Sequence, residues 1–220
     1  MAVSKYIKKL RAKKGLHSAG IYTFTNFFAK GVSFLLIPLF TNPKYLTPAD
    51  NGLLSLFSSS VVFLMPFISL GLVQSASTDF FKLDKKEFKD FFTTAFALTG
   101  LTTILSVIIL FILKDNLQIK YGFPLNFIWI IPAVTFLTFC AEQITGLIRN
   151  NDQPFKYLGI GVIKITVELG IALILITVFS YGWMGRVTGM LTALFLTAGY
   201  SLYYFVKNGY HIENAITNET

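Results

Sequence analysis

The 220-residue chain has a single cysteine, two histidines and few charges, with Asp, Glu, Lys and Arg making up 14% of it against roughly 25% in globular chains. One cysteine, Cys140, excludes a disulfide scaffold, and its place inside an apolar run marks it for packing. The histidines, His17 and His211, lie near opposite ends, so no Cys/His spacing suits a metal. Neither a phosphate-binding glycine loop nor a paired histidine on a helix is present. The nearest approach to a surface acid pair, Asp84 and Glu87, is surrounded by Lys85, Lys86 and Lys89. The sequence therefore reads as non-enzymatic and without a cofactor. A cleavable signal is lacking too: the basic start runs into an apolar stretch too long for the core of a signal peptide.

What is abundant is apolar. Hydrophobic residues make up 54% of the chain and phenylalanine occurs 23 times. The runs are continuous rather than alternating, which predicts an all-α polytopic membrane protein and not a barrel. A helix needs about 20 mainly apolar residues to cross the hydrocarbon core, and six segments qualify: Ile21 to Phe40, Gly52 to Val73, Phe91 to Leu113, Phe127 to Ile148, Tyr157 to Phe179 and Val187 to Val206. A basic amphipathic leader (1–20), a six-helix transmembrane lobe (21–206) and a polar tail (207–220) follow from this division. The leader places Val3, Tyr6, Ile7 and Leu10 on one side, as an anchor in the headgroup layer would. The net charge of +8 does not imply a nucleic-acid partner, because the basic residues collect in short stretches between apolar runs. Thirteen of them fall on the side of the termini and four on the other, so both termini are expected in the cytoplasm.

Four charges interrupt the apolar segments: Lys30, Glu142, Lys164 and Glu168. Each costs at least ~2.5–3.5 kcal/mol at the bilayer centre on insertion scales, so each calls for a reason. Helical spacing gives them polar company. Thr23, Asn26, Lys30 and Ser33 form one stripe, Thr135, Thr138, Glu142, Thr145 and Arg149 a second, and Gly161, Lys164, Glu168 and Ala172 a third. Two readings are open. The charges pair structurally, Lys164 with Glu168 and Lys30 with Glu142, or they line a water-filled lumen that meets a polar substrate. Two cations against two acids leave no net charge to select an anion. Pro38, Pro66 and Pro132 permit kinks, and glycines such as Gly71, Gly146 and Gly189 permit close helix approach.

Two stretches are familiar. Lys30-Gly31-Val32-Ser33-Phe34-Leu35-Leu36-Ile37-Pro38-Leu39 is followed by Tyr45-Leu46-Thr47-Pro48-Ala49-Asp50-Asn51-Gly52, and Tyr181-Gly182-Trp183-Met184-Gly185-Arg186-Val187 leads into the last apolar run. With Ile68-Ser69-Leu70-Gly71-Leu72 and Phe80-Phe81-Lys82-Leu83-Asp84 between them, the chain resembles, over essentially its whole length, the N-terminal six-helix lobe of Wzx-type polysaccharide flippases. These belong to the multidrug/oligosaccharidyl-lipid/polysaccharide exporter superfamily. Asn51, where the family usually has an aromatic, and Asn42-Pro43-Lys44, which lengthens the outer loop, are departures.

The resemblance implies one lobe of a MATE-like fold in a bacterial or archaeal cytoplasmic (inner) membrane, among membrane lipids. A second six-helix lobe, either a C-terminal half or a second copy, is the implied partner, with the polar tail starting the linker. The implied function is the flipping of lipid-linked oligosaccharide, such as O-antigen and lipopolysaccharide precursors, to the outer leaflet. Lys30 and Lys164 would meet diphosphate or acidic sugars. Glu142 and Glu168 would be partners or sites for a coupling cation, with Asn26 and Arg149 in the same lumen. A drug exporter of the superfamily and a non-transporting scaffold of polysaccharide assembly are the competing readings.

Overall fold

Two capping boxes fix where two of the long helices begin. The Asp50 N–H donates to Thr47 Oγ1 at 3.1 Å while the Thr47 N–H donates to Asp50 Oδ2 at 2.9 Å. Asp84 and Glu87 make the same exchange at 2.8 and 3.2 Å. Each box satisfies donors that a helix start otherwise leaves open. The computed structural model describes residues 2–35 and 37–207, with side chains from residue 15 onward except at positions 36, 39 and 121.

Among the described residues all regular structure is helical: α1 (Ala2–Leu35), α2 (Ile37–Phe40), α3 (Pro48–Ser69), α4 (Leu72–Asp79), α5 (Lys85–Ile112), α6 (Lys114–Tyr121), α7 (Phe127–Asn150), α8 (Pro154–Thr177) and α9 (Gly182–Lys207). Five of them, α3, α5, α7, α8 and α9, are long and apolar enough to cross a membrane, which makes this a polytopic membrane protein. α1 is not among the five, because its first part is the basic leader and the polar Thr23, Asn26 and Lys30 dilute the rest. Its backbone runs unbroken through residue 20, where leader and first span were expected to part. The leader's apolar face (Val3, Tyr6, Ile7, Leu10) and the tail 208–220 lie outside the described side chains and residues.

Elsewhere the expected spans shift for local reasons. The second does not run on to Val73: Leu70 and Gly71 both take left-handed backbone (φ 49° and 73°), ending α3 and turning the chain into α4. Gly71 therefore serves a turn, not the close helix approach expected of it. The third span starts six residues early, at the Asp84 cap, so the charged elbow is already helical. After it, α6 occupies what was read as plain loop and stops at Gly122 (φ 62°).

α7 is the central pillar. Of its most apolar stretch 67% is buried, against 11–39% in the other four long helices, and it packs on α3, α4, α5, α8 and α9. Phenylalanine supplies much of the filling: Phe96 meets Phe139 and Phe205 edge-on at 5.2 and 5.0 Å, and Phe92 meets Phe205 at 4.9 Å. Such offset ring pairs are favoured over face-to-face stacking. At the opposite end of the bundle, Asp50 Oδ1 accepts the Trp183 N–H at 3.4 Å. The starts of α3 and α9, far apart in sequence, thus meet in space. Arg149, Lys156 and Lys207 mark the other, basic end of the bundle.

α1 stands to one side, packed on α8, and Gly161 permits the approach. A Cβ at Gly161 would lie 2.7 Å from Thr25 Cγ2. α8 and α9 are pressed together further from the basic end, where a Cβ on Gly189 would collide with the Glu168 carbonyl and lie 2.9 Å from the Ala172 nitrogen.

Candidate functional site

Between α1 and α8, with Thr145 of α7 at the back, lies a cleft of about 660 Å³. It gathers Asn26, Lys30, Lys164 and Glu168, four of the six residues picked out from the sequence. Tyr157 belongs with them: its hydroxyl donates to Asn26 Oδ1 at 3.1 Å, and its ring meets Tyr22 edge-on at 5.1 Å. Tyr157, Gly161, Lys164 and Glu168 continue one face of α8 and could have been read from that spacing. The hydroxyls of Ser33 and Thr145 donate back to carbonyls of their own helices, Ala29 at 3.0 Å and Ala141 at 2.8 Å. Their remaining lone pairs face the cleft as acceptors.

The charges are not arranged as either expected pair. Glu168 Oε1 lies 3.2 Å from Arg186 Nη2, a residue that sequence reading had left in an outer loop. Arg186 sits one turn into α9 because that helix already starts at Gly182. Its guanidinium lies over the Phe40 ring at 5.0 Å, and its Nη1 is buried with no hydrogen-bond partner. Lys30 and Lys164 have no salt-bridge partner among the described residues. The expected cancellation of two cations by two acids therefore fails in the cleft. Arg186 answers Glu168, Glu142 does not line the cavity, and neither lysine has a carboxylate within salt-bridge distance among the described residues.

Glu142 lies on α7 in a separate narrow crevice with Gln143, Gly146 and Asn150, though the charge of Lys164 reaches it. Arg149 is exposed at the basic end of α7 and does not line the cleft; its charge acts on Tyr22. Of the expected α7 stripe only Thr145 reaches the cavity, and Thr135 is buried in the pillar. Thr23 in α1 does not line it either, its place being taken by Thr25. Ala172 faces α9 against Gly189.

Chemically the site offers two ammonium groups, the Asn26 amide and a row of hydroxyl acceptors, beside an already neutralised carboxylate. It suits a ligand that is anionic at one point and hydroxyl-rich around it. No family model, curated protein or solved structure matches this chain.

Proposed function

We propose that the protein is a membrane transporter that flips lipid-linked oligosaccharide across a bacterial or archaeal cytoplasmic membrane for cell-surface polysaccharide synthesis, in the manner of the Wzx-type lobe it resembles. The observation that carries this reading is the pair of cations without a salt bridge, Lys30 and Lys164, in a polar cleft among helices long enough to span a bilayer. Charge within a membrane span is costly unless something polar comes to meet it. A diphosphate linkage would sit between the two ammonium groups, with sugar hydroxyls against Asn26, Ser33 and Thr145. The lipid would stay in the bilayer.

In this reading the far half of α1 together with α2 forms a first span, giving six spans of a MATE-like lobe with both termini cytoplasmic. The cleft is walled mainly by α1 and α8, and a second six-helix body closes its open side and rocks against it. Glu168, held by Arg186, is the carboxylate placed to exchange a coupling cation for the substrate.

The test is reconstitution of the protein, with its partner lobe, into liposomes holding a lipid-linked oligosaccharide with a fluorescent sugar. Lys30→Ala should reduce the flipping rate at least tenfold while insertion and melting temperature stay unchanged. Unaltered flipping in that variant would show that the charge plays no part in transport.

A further inference from the structure

A second cavity, on the adjoining face of α8 and sharing Ile160 and Lys164 with the cleft, points to a different ligand. The half of the α8–α9 pair away from the basic end is closed by Gly189 against Glu168 and Ala172. Toward the basic end the two helices leave an apolar groove of about 400 Å³, walled by Gly159, Ile163 and Val167 from α8 and by Ala193, Leu196 and Tyr200 from α9. Ile163 and Leu196 are 60% and 54% exposed, so the groove opens outward along its length. We infer that it is a binding site for one anionic phospholipid of the surrounding bilayer, with one acyl chain in the groove and the phosphate at Lys156.

Three observations carry this. The first is length. From Lys156 to Val167 is eleven residues, about 16 Å along the axis, which is half of a ~30 Å hydrocarbon core and the reach of a single leaflet's chain.

The second is charge. Lys156 lines the mouth, with its Nζ 5.9 Å from the Tyr204 ring centroid, and Lys207 stands at the same end with its Nζ 3.4 Å from Tyr203 Oη. Two lysines resting on tyrosines at a helix end match the headgroup layer and favour a negative headgroup. The third is the wall itself. An apolar groove facing hydrocarbon would leave the polar backbone of an extended peptide unsatisfied, whereas an acyl chain has no such groups.

Lys164 lines both cavities. A chain seated in the groove would cover its aliphatic stem and leave the ammonium to the cleft. The inference does not depend on the transport reading, since a lipid can occupy the groove whatever the cleft binds.

Native mass spectrometry of the purified full chain, titrated with phosphatidylglycerol or with phosphatidylcholine of the same chains, tests it. Phosphatidylglycerol should bind preferentially. Lys156→Gln, a change at an exposed position, should cut that preference about fivefold, the effect of one lysine near a surface. Leu196→Trp should displace the lipid by filling the groove, while Phe195→Trp, beside it but outside the lining, should retain it. Equal binding of the two lipids, or an unchanged preference in Lys156→Gln, would overturn the charge assignment. Equal retention by the two tryptophan variants at matched melting temperatures would overturn the groove.

Discussion

Arg186 binds Glu168 with one nitrogen and leaves the other buried and unpartnered. The pair is partly exposed, with side chains 26% and 19% accessible, so it is worth less than a fully buried one, whose rupture costs about 3–5 kcal/mol. Removing the charge from Glu168 should cost about 1–2 kcal/mol, the ~1.5–3 kcal/mol of a hydrogen bond to a charged group reduced by the pair's partial exposure. Glu168→Gln should thus lower the melting temperature in detergent modestly, and Arg186→Met should lower it further by leaving a carboxylate alone. The double variant should cost less than the sum of the two, and strict additivity would mean that the ion pair contributes nothing.

Gly161 gives a sterically independent case. Gly161→Ala places a methyl 2.7 Å from Thr25 Cγ2, an overpacking worth about 1–3 kcal/mol. Adding Thr25→Ser removes that methyl and keeps the hydroxyl that donates to Ile21 at 2.8 Å. Most of the lost melting temperature should return, and no recovery in the double variant would place the strain elsewhere.

At the scale of elements, what could be read in advance was what local chemistry writes. Continuous apolar runs located α3, α5, α7, α8 and α9, and helical spacing put Lys164, Glu168 and Gly161 on one face. The break at Leu70–Gly71 was missed because Ile68-Ser69-Leu70-Gly71-Leu72-Val73 is apolar on both sides of the turn, so hydropathy runs through it. Gly71 holds φ 73°, and a side chain there costs about 1–2 kcal/mol. Gly71→Ala should therefore destabilise the α3–α4 corner by that amount. An unchanged melting temperature would mean that the corner relaxes freely. The partner of Glu168 was illegible for another reason. A same-helix lysine four residues away satisfies the spacing rule, and only the packing of α9 on α8 brings Arg186 closer. Glu142 shows the converse: a correct stripe on a helix that is buried on most sides turns only one member, Thr145, into the cleft.

For the whole molecule, the distribution of lysines predicts which loops face the cytoplasm. Single cysteines at Lys44 and Lys86 test it in intact cells with a membrane-impermeant maleimide. Lys44→Cys should label from outside and Lys86→Cys only after lysis, and the reverse pattern would invert the bundle. The native thiol adds no background, since Cys140 is buried in the α7 core. The tie between α1 and α8 has a consequence in time. Asn26 waits for Tyr157, 131 residues later in the sequence. A ribosome adding ~5–20 residues per second needs roughly 7–26 s to deliver it. For that interval α1 is made but α8 is not, and Lys30 has none of the cleft's opposite wall. Through that interval α1 is without the helix it packs on.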